Sequence, residues 1–161
     1  MFNHLLHYQL SIMGGLDTLE LDKKLRMSNF LGAYAFDELP ANPGSNFSVI
    51  VNTQASSEPG EHWIPLILKN GIFYFIDSYG RSPLNSLFSK DFRNAIKEYF
   101  KGYKYKYNPR MIQDIFSNTC GYYSIYFIHE MEHKSMKSSL SIFGIDFRKN
   151  DILVKEIVNL F

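Results

Sequence analysis

The sequence has little cysteine and no excess of charge of either sign. Its 161 residues include one cysteine, Cys120, which excludes an internal disulfide and a zinc site built from cysteines. With 17 basic and 16 acidic residues the formal charge is +1, so the overall charge does not indicate a nucleic-acid-binding protein. No apolar run reaches the length of a membrane span, and no secretory signal pattern is present. These absences favour a protein of a reducing compartment that does not associate with membranes.

The chain does have enough apolar residues to build a substantial core. Hydrophobic residues make up 45% of it and aromatic residues 16%. No repeat, low-complexity tract or linker divides the sequence. We therefore expect one domain over residues 1–161, with 1–13 as an N-terminal extension.

Apolar periodicity predicts an α+β fold, a small mixed sheet with packed helices. Strands are expected at 46–53 and 103–108, in addition to a hairpin between them. Helices are expected at 16–27 (capped by Asp17), 88–102, 118–136 and 152–161 (capped by Asn150 or Asp151). The glycines and prolines of 30–45 predict a loop there.

The hairpin sets the geometry of a histidine and an aspartate. Asn70-Gly71 lies between two apolar runs in HWIPLILKNGIFYFIDSYG, a strong signal for a two-residue turn. That turn places Ile64 opposite Asp77, and His62 shares the strand face of Ile64. We expect His62 and Asp77 to be diagonal neighbours, so that the carboxylate orients the imidazole and stabilises its protonated form. An ordinary surface ion pair is the alternative.

The only cysteine is expected at the start of a helix. Ser117, Asn118 and Thr119 are all good N-cap types, which places Cys120 in the first turn. The free amide groups and the helix dipole there favour an anion and so stabilise a thiolate. The same amide groups suit a developing oxyanion, and Gln113 offers a side-chain amide for that purpose. A buried, inert thiol is the alternative.

A second motif follows on the same predicted helix. The letters HEMEH, 129–133, fit the H-E-x-x-H pattern of zinc-protease helices, which places His129 and His133 one turn apart. Glu132 is charged where such helices usually carry an uncharged residue, and no nearby residue has the expected third-ligand spacing. We interpret the motif as a solvated helix end and expect no metal site.

The segment KEYFKGYKYKYNPR, 97–110, interleaves basic and aromatic residues. Lysines among tyrosines can follow a phosphate backbone, so DNA binding is one interpretation of Lys101, Lys104, Lys106 and Arg110. A solvated strand face whose lysines protect a sheet edge is the other.

Taken in chain order, several segments resemble the adenovirus-type (adenain-like) cysteine proteases, whose clan includes the SUMO-deconjugating proteases. GEHWIPLIL resembles the family's G-x-H-W strand, GIFYFIDSYG its acidic strand ending in aromatic-glycine, and QDIFSNTCGYY its Gln-x6-Cys-Gly segment. FLGAYAFDELP and VIVNTQASSEPGEHW resemble the segments that lead into the histidine. The resemblance covers about residues 16–130 and implies the α+β fold of that protease clan.

The resemblance implies a role for each matched residue. Cys120 is the expected nucleophile of a thioester mechanism, and His62 is its base. Asp77 is expected to orient His62, and Gln113 to donate to the oxyanion.

Substrate contacts are expected from Trp63, which the resemblance places in a narrow channel, and from Gly121, which removes bulk beside the sulfur. Proteases of this kind favour Gly-Gly or Gly-x before the scissile bond and mature viral capsid precursors. A protease of ubiquitin-like conjugates and a non-catalytic capsid-assembly protein are the alternatives. The stretch IMGGL, 12–16, resembles the cleavage consensus, so self-cleavage between Gly15 and Leu16 is one hypothesis and a glycine turn is the other.

Two features depart from the adenovirus enzymes. The acidic residue is Asp77 where those enzymes often have glutamate, and both residue types can orient a histidine. Cys120 has no second cysteine for the disulfide that joins the adenovirus enzyme to its peptide cofactor. We expect no required cofactor, with DNA or a viral peptide as candidate activators. The expected source is a large DNA virus, a virophage or a Polinton-like transposon, and the expected location is the virion and the infected cell.

Overall fold

The computed structural model describes residues 15–161. The N-terminal extension predicted over 1–13 and residues 12–14 of the IMGGL stretch lie outside the described residues.

Five strands form one mixed sheet in the order in which they occur along the chain. The inner pairs β2–β3 and β3–β4 are antiparallel, and the outer pairs β1–β2 and β4–β5 are parallel. The strands are β1 Phe30–Ala35, β2 Phe47–Asn52, β3 Trp63–Lys69, β4 Ile72–Phe75 and β5 Lys104–Tyr107.

Helices cover both faces of this sheet. They are α1 Thr18–Lys24, α2 Lys90–Tyr99, α3 Cys120–Glu130, α4 Met136–Leu140 and α5 Phe147–Val158. A short 3-10 turn, Phe36–Glu38, follows β1. The α+β class predicted from the sequence is confirmed, and no helix among residues 15–161 is long and apolar enough to span a membrane.

The predicted hairpin has the expected register. Leu66 pairs with Phe75 and Lys69 pairs with Ile72, which leaves Asn70 and Gly71 as the two turn residues. Both turn residues have positive φ, 52° and 77°, as the tight turn between two right-twisted strands requires. The hairpin thereby fixes which residues of β3 and β4 face each other.

The central strand β3 is buried on both faces, which is why its sequence is a nearly continuous apolar run. Trp63 and Ile67 pack in the core with α1, α3 and α5. Ile64, Leu66 and Leu68 pack on the other face, in an aromatic core with α2. Cys120 belongs to the core on the α3 face of the sheet.

The prediction of a loop at 30–45 is wrong over its first half. Phe30–Ala35 is strand β1 and pairs in parallel with β2 at the sheet edge. Gly32 has a φ of 121°, and the register shifts between Phe30 and Ala33, so glycine marks an irregular strand here. The parallel pairing depends on residues distant in sequence, and the local turn signals could not show it.

Two helix boundaries also differ from the prediction. Helix α3 ends at Glu130, and α4 starts separately at Met136 with Ser135 as its N-cap. Helix α5 begins earlier than predicted, because Asp146 caps it by accepting from the backbone N–H of Lys149. The predicted caps, Asn150 and Asp151, are buried inside the helix instead.

Candidate active site

His62 and Asp77 meet at the open end of the hairpin. His62 directly precedes β3, and Asp77 follows the end of β4 by two residues. The imidazole Nε2 lies 2.7 Å from Asp77 Oδ1, and both side chains are buried, Asp77 completely. The structure therefore brings together the pair that the hairpin register predicted.

Asp77 is held in one orientation by three donors in addition to the histidine. Arg81 Nε lies 2.5 Å from its Oδ2, and the backbone N–H of Tyr79 donates to Oδ1 at 3.0 Å. Asn108 Nδ2 donates to the backbone carbonyl of Asp77. Burial by itself raises the pKa of the Asp77 carboxyl, but His62 and Arg81 outweigh burial and lower that pKa. Asp77 is therefore a carboxylate at neutral pH.

His62 bridges this carboxylate and the thiol. Cys120 acts on the pKa of its imidazole as well as Asp77 does, and because Asp77 takes Nε2, the ring nitrogen left for the thiol is Nδ1. Burial lowers the pKa of His62, but Cys120 and Asp77 together outweigh burial and raise that pKa to about 9. The ring also stacks on Tyr79, with centroids 4.7 Å apart. His62 is therefore suited to carry a proton at neutral pH.

Cys120 is the first residue of α3, as the sequence predicted. Thr119 occupies the N-cap position, but its side chain does not make the expected capping hydrogen bond. Thr119 Oγ1 bonds to Ser117 Oγ instead, at 2.7 Å. The backbone N–H groups of the first turn of α3 lie next to the sulfur.

Gln113 lies close to the cysteine loop, and its side chain is fully buried. Its Nε2 donates to the carbonyl and to the hydroxyl of Ser117, at 3.2 and 3.1 Å. Ser117 precedes Cys120 by three residues in the chain, so the amide faces the segment that leads into the thiol. In this resting arrangement the amide contacts protein atoms, and its role as an oxyanion donor stays a prediction.

Trp63 and Gly121 both contact Leu16. The indole Nε1 of Trp63 donates to the Leu16 carbonyl at 2.9 Å, and only 1% of Trp63 is exposed. A Cβ placed on Gly121 would lie 3.1 Å from Leu16 Cβ. The structure thus covers both expected substrate residues with Leu16, so Trp63 does not line an open channel in this arrangement. Self-cleavage at Gly15–Leu16 stays a hypothesis.

The basic segment divides into an exposed part and a structural part. Lys104 and Lys106 lie on the exposed edge strand β5, and Lys101 is exposed beside Glu98 at 3.8 Å. Arg110 differs, because its guanidinium donates to the carbonyls of Leu140 and Phe143 and so binds the segment after α4 to β5. Arg110 is exposed as well, and DNA binding through these four residues stays a prediction.

The HEMEH motif does not form a zinc-protease helix. Helix α3 ends at Glu130, so His133 lies in the following turn and not one helical turn from His129. His129 stacks on Phe161, and Glu130 pairs with Lys134. Among residues 15–161, no group of three or more candidate ligand side chains could hold a metal ion.

Four contributors to the site were missed by the sequence analysis: Ser78, Tyr79, Arg81 and Asn108. The first three share the DSYGR stretch with Asp77, and their position directly after the acidic residue was a usable signal. Asn108 is distant in sequence from Asp77, and no local signal indicates its contact with that residue.

The DSYGR stretch requires a glycine at position 80. Gly80 has a φ of 72°, and a Cβ there would lie 2.6 Å from the backbone nitrogen of Met111. We expect Gly80→Ala to lower the free energy of unfolding by about 3 kcal/mol or more, since backbone strain and a clash with main-chain atoms add together. Urea denaturation followed by fluorescence measures the change.

The matched control for Gly80→Ala is Gly102→Ala. Gly102 has a similar φ of 88°, but a Cβ there meets nothing within 4 Å. Gly102→Ala should lower the free energy of unfolding only by the backbone strain, about 1 to 2 kcal/mol. Equal losses for the two variants would contradict the close approach at Gly80.

No protein-family model matches this chain, and no curated protein matches it in sequence. Among solved structures it is similar to the crystal structure of ASFV pS273R protease, with a TM-score of 0.51 and 15% sequence identity. The match covers 90% of this chain and 66% of that one, so this chain spans less than two thirds of the neighbour's length. The narrower resemblance to adenain-type enzymes stays a prediction. At this level of identity the likeness concerns the fold, and the chain has the α+β fold of a viral protease.

Proposed function

We propose that this protein is a cysteine endopeptidase with Cys120 as its nucleophile. The observation that carries the proposal is the buried series of contacts from Asp77 to His62 to Cys120, with the sulfur at the start of a helix. A nucleophile that contacts a base, which a third group orients in turn, is the arrangement required for covalent acyl transfer. The fold shared with a viral protease supports the same reaction class.

The reaction proceeds in two steps. The Cys120 thiolate attacks the peptide carbonyl, the C–N bond breaks, and protonated His62 gives its Nδ1 proton to the departing amine. Neutral His62 then takes a proton from water as the water attacks the thioester. The carboxyl product leaves, and the thiolate and the imidazolium are restored. Asp77 keeps its negative charge throughout and stabilises the imidazolium.

A cleft of about 290 Å³ lies beside His62. It lies between the loop that precedes His62 and the segment around Leu87 and Phe88. A peptide library cleaved by the wild-type chain, together with labelling of Cys120 by an electrophilic peptide, tests the proposal. A chain that neither cleaves any member nor reacts with the electrophile is not a cysteine protease.

Gln113 supplies one oxyanion donor, and the N–H groups at the start of α3 supply the others. We expect Gln113→Ala to lower kcat/KM about 10²- to 10³-fold and to leave measurable activity, because the backbone donors remain. Initial rates on a cleaved peptide measure the loss. Complete inactivation of a folded Gln113→Ala variant, or its full activity, would contradict an oxyanion hole shared between Gln113 and the backbone N–H groups.

Viral structural precursors cut after glycine-containing sites are the proposed substrates, in the virion and the infected cell. Support comes from the segments that resemble adenain-type proteases and from the viral origin of the structural neighbour. Cleavage of capsid-precursor peptides and of ubiquitin-like fusions, measured side by side, discriminates the two substrate classes. Preference for the fusions would favour a deconjugating protease.

DNA is a proposed activator that acts through the exposed lysines Lys101, Lys104 and Lys106. Binding through lysines to phosphates weakens as salt rises. Activity that is unchanged by added DNA at low salt would exclude this activator.

A further inference from the structure

Ser78 connects the two halves of the candidate site. It directly follows Asp77, only 2% of it is exposed, and its Oγ lies 2.5 Å from Oε1 of Gln113. No catalytic or substrate-binding role has been assigned to it above. Its neighbours in the chain and in space are the residue that orients the base and the residue proposed to stabilise the oxyanion.

The hydrogen bonds determine which way the Gln113 amide points. A backbone carbonyl can only accept, so the amide atom next to the Ser117 carbonyl must be the nitrogen. The oxygen of the amide then faces Ser78, and the Ser78 hydroxyl must donate to it. Ser78 is therefore the donor to Oε1, and this bond directs Nε2 towards Ser117 in the cysteine loop.

The backbone of Ser78 adds to this restraint. Its carbonyl accepts from the backbone N–H groups of Ile112, at 2.9 Å, and Gln113, at 3.2 Å. Ser78 thus holds both the main chain and the side chain of Gln113. Because Asp77 binds His62 at the same place, one dipeptide sets the position of the base and of the amide donor.

We propose that Ser78 is a positioning residue that orients the Gln113 amide for oxyanion stabilisation. The proposal rests on the proposed peptidase function. Without the Ser78 hydroxyl, the buried Gln113 oxygen loses its donor, and the amide gains freedom to rotate. An amide that has rotated presents an acceptor where the reaction needs a donor.

A double-mutant cycle tests this role. We expect Ser78→Ala to lower kcat/KM about 10- to 100-fold in the wild-type chain. In the Gln113→Ala background the same change should cost less than about threefold, because the group it orients is gone. If the double variant shows the full product of the two single-variant losses, the proposal is overturned. Wild-type activity of Ser78→Ala would overturn it as well.

Alkylation of Cys120 by iodoacetamide separates positioning from general damage. This reaction needs the thiolate and His62 but no oxyanion donor, so Ser78→Ala should alkylate at the wild-type rate. The control is Ser139→Ala, since Ser139 is also a fully buried serine whose Oγ donates one hydrogen bond, to the Ser135 carbonyl. Ser139→Ala should leave kcat/KM unchanged. Slower alkylation in Ser78→Ala would indicate structural damage and would overturn the specific role.

A measurement without substrate keeps the two proposals apart. In the wild-type chain, NMR should show slow hydrogen exchange of the Gln113 side-chain amide. The same amide should exchange faster in Ser78→Ala. Exchange at the rate of free glutamine in the wild-type chain would overturn the Ser78 contact, whatever the activity. Absence of peptidase activity with a slowly exchanging amide would reject the proposed function and leave the contact intact.

Discussion

Cys120→Ala should lose essentially all peptide hydrolysis, a fall in kcat/KM of at least about 10⁴-fold. Cys120 is the only residue at the site that can form the thioester, and the remaining groups can only bind and polarise the substrate. Cys120 also acts on His62 and helps to raise the pKa of its imidazole, so the thiol is one of the groups that stabilise the imidazolium. Initial rates on the best library peptide, with the product identified by mass spectrometry, measure the loss.

Cys120→Ser is the matched variant for this change. It keeps a hydrogen-bonding group of similar size next to His62, so the fold should be retained while the hydroxyl remains a poor nucleophile at neutral pH. Thermal unfolding of both variants shows whether the loss is chemical. Retained cleavage by Cys120→Ala would refute the assignment of the nucleophile, and inhibition by a metal chelator with no effect of alkylation would favour metal-dependent hydrolysis.

Asp77→Asn should have the second largest effect, a fall in kcat of about 10³- to 10⁴-fold. The asparagine keeps the shape of the side chain but removes the charge that stabilises the imidazolium, and its amide can present a donor to Nε2. The His62 ring then loses both its protonated form and its orientation towards Cys120. Steady-state kinetics at pH 7 measure the change, with exposed Asp91→Asn as a control for the loss of one negative charge.

The same variant should alter the pH dependence. In the wild-type chain the pKa of His62 is raised from 6.5 to about 9, so the imidazolium and the stability linked to it are fully present below pH 6.5. That stability is lost as pH rises through about 9, which predicts an alkaline limb of activity near that pH. In Asp77→Asn, burial still lowers the pKa while one of the two opposing charges is gone, so the limb should move to lower pH. An unmoved limb would show that Asp77 does not act on His62.

Local sequence signals were sufficient where they involved neighbours in the chain. Asn70-Gly71 fixed the hairpin register, and the register fixed the meeting of His62 with Asp77. The three polar residues before Cys120 predict its place at a helix start, and Thr119 is the N-cap, although the Thr119 side chain makes no capping hydrogen bond. These predictions depended on backbone conformation and on strand periodicity, which are properties of a few adjacent residues.

Signals that depend on distant segments were lost or misread. The turn residues of 30–45 predict a loop where strand β1 lies, because its parallel partner β2 comes after two prolines and a turn. The basic pattern of 97–110 does not indicate that Arg110 also binds carbonyls some thirty residues away. The burial of Trp63 beneath Leu16 joins residues 47 positions apart, and no local pattern records it.

By itself the sequence determined the fold class and the hairpin, and it singled out Cys120, His62, Asp77 and Gln113 as the candidate site residues. The tertiary structure decided how that set is connected. In the folded chain His62, at the start of β3, interacts with Cys120, at the start of α3. Helix α3 ends before His133, and the Ser78 hydroxyl orients the Gln113 amide. Periodicity and turn chemistry depend on a few adjacent residues, whereas hydrogen-bond partners depend on which distant segments the sheet and its helices bring together.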